Sequence, residues 1–184
     1  RQTYDYQRTI REASRRLSTI LDLQSLLSYL TEVIAKTLKV EMVAVYMRDH
    51  PQQAFTSRVL RRAAEWEQGP SGHVLSETSP LATFLGRETR ILISDELPRN
   101  SGDPRLTAAV RELQALGGDL ASPFLQDHVI SGILVIGPKL SGDPYFAEDI
   151  DLLSTLVGQA AIAIKNAQLY QEVTLANEYI ENIL

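Results

Sequence analysis

Apolar residues recur at helical spacing through the first forty positions. Tyr6, Ile10, Ala13, Leu17 and Ile20 follow one another at alternating steps of four and three. That is the seam of a two-stranded coiled coil, and it favours that arrangement over an amphipathic helix lying on its own domain. Arg8, Arg11, Glu12, Arg15 and Arg16 fall between the seam positions and face solvent. Asp22 then reads as a fresh N-cap, followed by Leu23, Leu26, Leu27, Leu30, Val33, Ile34 and Leu38 at helical period.

Strands and turns fill the middle of the chain. Val40 to Met47 is apolar except for Glu41, the pattern of a strand buried on both faces. His50-Pro51-Gln52-Gln53 connects it to a second strand, Phe55 to Trp66, and Gly69-Pro70-Ser71-Gly72 forms a loop. Ser79-Pro80 supplies an N-cap and an N1 proline for a short helix reaching about Gly86. Arg90 to Ile93 reads as a short strand and Pro98 to Gly102 as a loop. Asp103-Pro104 caps a second short helix that ends at Gly117-Gly118.

Asp119 to Leu125 is a strand whose Pro123 places it at an edge or in a bulge. Gln126-Asp127 turns into His128 to Ile136, the most hydrophobic strand. Leu140 to Pro144 is a polar loop. Phe146 stands in a hydrophobic-staple position, and Glu148 and Asp149 favour the positive end of a helix dipole. From there a single helix runs to Leu184. Its inner stripe is Ile150, Leu153, Val157, Ala160, Ala161 and Ile164. Past Asn166 the stripe becomes Leu169, Val173, Ala176, Ile180 and Ile183, again spaced four and three. Two seamed helices flanking a domain predict a homodimer through the terminal helices, able to pass a conformational signal along its axis.

Composition narrows the classes. Of 184 residues, 44% are hydrophobic and 22% charged, which supports a packed core and excludes wholesale disorder. The net charge of −5 argues against a nucleic-acid surface, which needs clustered positive charge. No run approaches a membrane span of about 20 apolar residues. The chain starts at Arg1 with no signal-peptide pattern, as expected of a piece of a longer protein. It has no cysteine, which removes disulfides, thiolate metal sites, thiol nucleophiles and thioether-linked cofactors.

Three segments together carry a resemblance. Val129 to Gly137, Phe146 to Leu153, and Gly158-Gln159-Ala160-Ala161-Ile162-Ala163-Ile164-Lys165-Asn166-Ala167-Gln168-Leu169-Tyr170 strongly resemble the end of a GAF domain, and Leu23 to Met47 is similar to its opening helix and first strand. The resemblance spans roughly residues 21–170. It implies an α+β fold (an α/β sandwich) with a central antiparallel sheet of five to six strands. The terminal helices lie on one face, and short helices and loops over a small-molecule pocket lie on the other. The implied organisation is a signalling helix at 1–21, a GAF-like sensory domain at 22–170 and a coiled-coil linker at 171–184. The linker resembles those leading to a PAS or kinase domain in a parent chain. The implied role is a cytoplasmic sensory and dimerisation input domain of a multidomain protein, a sensor histidine kinase above all, with a parent that can be membrane-anchored.

Within that frame the ligand-binding candidates are Trp66, His73, Phe84, Arg87, Arg111 and Phe124. Arginine can hold a carboxylate or phosphate through paired hydrogen bonds. Arg87 and Arg111 lie on or beside the two short helices and are preferred over Arg61, Arg62, Arg90, Arg99 and Arg105. Trp66, Phe84 and Phe124 supply apolar walls, a role that plain core packing fills equally well. His50, His73 and His128 form no pair at metal-ligand spacing, so metal and haem are disfavoured, and a thioether-linked bilin is excluded. Pro138-Lys139, Phe146 and Glu148-Asp149 match in part the signature of the cyclic-nucleotide-binding subset, with Pro in place of Asn. Asp95-Glu96 and Glu148-Asp149 have no partnered base or nucleophile, so no catalytic constellation emerges and an enzyme is disfavoured. The alternatives to a ligand sensor are a ligand-free dimerisation spacer and a cyclic-nucleotide-binding regulatory domain of a cyclase or phosphodiesterase.

Overall fold

The computed structural model describes residues 2–63, 70–99 and 102–183, with side chains from residue 5 onward. Two helices open the chain, α1 (Gln2–Leu17) and α2 (Leu23–Leu38). The Asp22 carboxylate accepts the Ser25 N–H at 2.8 Å and so satisfies a donor that the first turn of α2 leaves free. Strands β1 (Met42–Met47), β2 (Phe55–Arg62) and β3 (Val74–Leu75) follow, then α3 (Pro80–Glu88), β4 (Leu92–Ile93) and a 3-10 helix over Ser94–Arg99. The chain continues through α4 (Pro104–Ala115), β5 (Leu120–Gln126) and β6 (Val129–Ile136) to α5 (Ala147–Ile183). Ser79 and Asp103 cap α3 and α4 with their side-chain oxygens, as their positions ahead of proline require.

The six strands form one antiparallel sheet in the order β3-β2-β1-β6-β5-β4. β1 is central and every residue of it is buried. Successive side chains alternate between faces, so Val43, Val45 and Met47 join one core and Met42, Ala44 and Tyr46 the other. The first core is closed by α1, α2 and α5, and the second by α3 and α4. This is the expected α+β arrangement with terminal helices on one face. Gly132 of β6 pairs with both Met47 and Phe124 across the sheet. A Cβ there would collide with the Met47 sulfur and stand 2.9 Å from the Tyr46 carbonyl oxygen, so only glycine fits.

Four local differences have physical causes. The α1 seam is spent inside its own domain: Ala13 and Leu17 are fully buried and Tyr6, Ile10 and Ile20 pack against the same core as α2 and α5. A seam of period 3.5 fits any facing helix, and here the facing helices belong to the same chain. β3 and the 3-10 helix were not foreseen, because two to six residues are too short to show a period. His128 sits in the β5–β6 turn rather than in the strand: Gln126 pairs with Val129, and Asp127 and His128 have φ of 51° and 66°. Positive φ at both central residues is the hairpin turn that matches strand twist. Pro123 lies in an interior strand, but β4 pairs only with Leu120 and Ala121, so β5 has an open edge at the proline, and the pairing with β6 slips just after it.

Candidate functional site

The expected pocket face carries a packed layer. Leu81 and Leu85 of α3 and Ala109, Val110 and Leu113 of α4 are fully buried against Ala44, Ala121, Ile133 and Val135 of the sheet. The two helices are also locked together. Leu81 N–H at the start of α3 donates to the Glu112 carboxylate of α4 at 2.7 Å, a negative charge at the positive end of a helix dipole.

The open space on this side is a cleft of about 380 Å³ between α3 and α4, lined by Thr78, Pro80, Thr83, Phe84, Arg87, Glu88, Asp103, Pro104, Arg105 and Ala108. Phe84 and Arg87 are therefore brought together. Arg111 is not part of this cleft. On α4 the residues turned toward α3 are Arg105, Ala108 and Glu112. One position before Glu112 is a turn of about 100°, which carries Arg111 to the exposed side. Arg105, rather than Arg111, is the second arginine lining this cleft. Its spacing of seven from Glu112 is the signal that places it on the same face, once Glu112 is known to meet α3. The cleft pairs two arginines with two acids, and Asp103 is already engaged by the Arg105 and Leu106 N–H groups.

The other candidates scatter. Phe124 is buried on the opposite face, in the core under the terminal helices, and so is not a wall of this side. Alternation along β5 sends Leu120 and Phe124 to one face and Ala121 to the other. His73 is exposed, yet its ring meets the buried Tyr46 edge-on at 6.1 Å, and its carbonyl accepts the Ser57 N–H at 3.2 Å. Burial raises the Tyr46 phenol above its ordinary range. Trp66 lies outside the described residues. Among the other arginines, Arg90 holds Glu96 at 3.0 Å and stacks over the Phe84 ring at 5.2 Å. His50 and His128 stand in separate turns, and among the described residues no group of three or more His, Asp or Glu could hold a metal ion.

The densest polar cluster lies on the helix face, where sequence analysis saw a partial cyclic-nucleotide signature. Asp149 is 1% exposed. Its carboxylate accepts the Lys139 ammonium at 2.6 Å, the Phe146 N–H at 2.7 Å and the Tyr6 hydroxyl at 2.7 Å. Burial is the largest single influence and pushes the Asp149 carboxyl up; the three hydrogen bonds and the lysine charge outweigh it and hold the group below the ordinary carboxylate range. Burial, the bond to Asp149 and the nearby negative charge raise the Tyr6 phenol, so it stays a donor. The Lys139 ammonium also lies 4.6 Å from the Phe146 ring centre. Lys139, Phe146 and Asp149 thus satisfy one another and tie α1, the loop after β6 and the start of α5 into one knot. Phe146 is exposed beneath the lysine rather than stapled to the helix.

A six-stranded antiparallel sheet with three helices on one face and two short ones on the other defines the class of protein. The GAF domain family model matches residues 22–164, and the chain belongs to that family. A methyl-accepting chemotaxis protein fragment, residues 122 to 287, superposes with a TM-score of 0.68 at 17% identity, covering 86% of this chain and 98% of that one. The GAF domain of a phosphoenolpyruvate-protein phosphotransferase from Coxiella burnetii gives 0.67 at 14% identity, with 92% and 98% covered. The chromophore-binding domain of a Stigmatella aurantiaca bacteriophytochrome gives 0.66 at 15% identity, with 89% and 60% covered. Comparison with curated proteins gives no match. In family and in fold the chain is a GAF domain.

Proposed function

We propose that the chain is the non-catalytic input module of a multidomain signalling protein, a sensor histidine kinase in the first instance, that forms a homodimer and relays its state through α5 to a PAS or kinase domain. The module works in the cytoplasm; among the described residues no helix is long and apolar enough to cross a membrane. The observation that carries the reading is α5 itself. It is one unbroken helix of 37 residues, about 55 Å long. Its inner residues through Ala167 are buried under the sheet, and its later residues to Ile183 are exposed except for half-buried Gln168 and Thr174. A shift of the helix against the sheet therefore reaches the far end without a joint to absorb it.

The test is phase. In a fusion of the chain to a kinase output region, one residue inserted between Tyr170 and Val173 rotates the following stripe by about 100°, and seven residues nearly restore it. Output is expected to change sharply with one inserted residue and to return toward the starting level with seven. Equal effects of both would make α5 a passive tether and end the reading.

The input is an unidentified small molecule, with the α3–α4 cleft and its Phe84, Arg87 and Arg105 as the place to look. A specific observation favours a second reading, the ligand-free dimerisation spacer: the layer between sheet and short helices is filled by aliphatic side chains at 0% exposure. Native mass spectrometry separates the two, since a retained small molecule supports the sensor and a bare polypeptide the spacer. The cyclic-nucleotide reading remains the further alternative; two residues of its partial signature, Lys139 and Asp149, pair with each other.

A further inference from the structure

The stripe on the outer side of α5 begins earlier than Leu169. Stepping back from Leu169 by three and then four reaches Asn166 and Ile162, both exposed. Buried Ala160, Ala163, Ile164 and Ala167 mark the inner side of the same turns, and the outer stripe lies about 150° around the helix from them. Among the described residues nothing covers it. At Ile162 and Asn166 it faces an open cleft of about 510 Å³ against the free edge of β5.

In heptad terms Asn166, Val173 and Ile180 take one core position, a, and Ile162, Leu169, Ala176 and Ile183 take the other, d. Ile162, Leu169, Val173, Ile180 and Ile183 are 45% to 63% exposed. Val173 and Ile180 at a are branched, d mixes Leu169 and Ala176 with Ile162 and Ile183, and Asn166 is the one polar core residue. A polar a position of this kind specifies register and strand number in a self-paired parallel coil, which makes a second copy of this chain the occupant. The flanking charges agree. Across a parallel pair Lys165 meets Tyr170 and Glu172 meets Asn177, so no like charges oppose. Asn166 is the exception in an apolar core, and it selects the geometry. In a parallel, in-register pair it lies against its counterpart in the second copy, and each amide can donate to the other's oxygen. In an antiparallel pair it lies against an apolar d residue, and in a parallel pair slipped by one heptad against Val173; in both it loses that partner.

We infer that Asn166 is the register-setting residue of a parallel α5–α5 interface between two copies of this chain. The inference rests on the dimer proposed above. It places the specifying contact at the point where α5 is still bound to its own sheet, so the two domains and the two outgoing helices are held in one phase.

The full 184-residue chain supplies its own test, because without cysteine a single Ala176→Cys is the only thiol. Sedimentation is expected to show a dimer, and mild oxidation to convert most of it to a disulfide-linked dimer. Adding Asn166→Val is expected to tighten association about ten-fold while lowering the disulfide fraction about two-fold, as antiparallel, slipped or three-stranded species compete. Asn166 is exposed, so the thermal transition of each domain serves as a folding control. A dimer whose disulfide fraction and species are unchanged by Asn166→Val overturns the role of Asn166 and leaves the dimer standing. A dimer that Ala176→Cys fails to link overturns the parallel register. A monomer at every concentration overturns the dimer and this inference with it.

Discussion

Asp149 shows how much one buried carboxylate can hold together. Replacing it with alanine leaves the Lys139 ammonium, 10% exposed, without its counter-ion. Breaking a buried pair in this way costs about 3–5 kcal/mol, and urea denaturation of Asp149→Ala at pH 7 is expected to show a loss of that size. The sign with pH follows from the lowered carboxyl. A group held below its unfolded value contributes in full above that value, about 3.9, and the contribution fades as pH falls through the folded value. The gap between the parent and Asp149→Asn is therefore expected to be constant above about pH 5 and to shrink toward pH 3. Little of this was legible in the sequence. Helix caps at Asp22, Ser79 and Asp103 were, since their partners lie two or three residues away. Asp149 reads only as an acid in a first turn, because Lys139 is 10 residues away and Tyr6 is 143.

Elements differ in legibility by how far their pattern depends on a partner. The five helices and the long strands carry enough residues to show a period. The face that a strand residue takes is harder to see when both faces are buried, since apolar residues on both sides erase the alternation; that is how Phe124 came to be assigned to the wrong side. The β5–β6 hairpin was visible as a turn, but one residue too early. Its geometry makes a prediction. Holding a residue with a Cβ in the left-handed region costs about 1 kcal/mol, and glycine avoids the cost. Since His128 has φ of 66°, His128→Gly is expected to raise stability by up to about that amount in chemical denaturation, without changing the far-ultraviolet spectrum.

At the scale of the molecule, α5 has two apolar faces with separate duties. The inner face is fixed by folding, and the outer one remains for association. Ile180 and Ile183 are exposed near the end of α5, so charge there should leave the fold intact. Ile180→Asp with Ile183→Asp is expected to move sedimentation toward the monomer, because burying each isoleucine supplies about 1.5–3 kcal/mol that a carboxylate forfeits. The same variant is expected to unfold within a few degrees of the parent. A large drop in thermal midpoint would mean that the end of α5 folds back onto its own domain. The amphipathic pattern at both ends of the chain was legible from the start; which partner each end meets was not, because period describes a face and never its occupant.

The packing of α1 against α5 has a consequence for the ribosome. Within this segment α1 is made before α5, which supplies much of the surface that buries it: Tyr6 and Asp149 are 143 residues apart. At about 5–20 residues per second, α1 waits about 7–30 s for that partner. During that interval the part of its apolar face that meets α5 is uncovered, with Arg8, Arg11, Arg15 and Arg16 on the same helix. The sheet closes earlier, once β6 meets β1. Docking α1 onto α5 thus waits until α5 has been made, and the Tyr6–Asp149 contact joins α1 to the helix proposed to carry the signal.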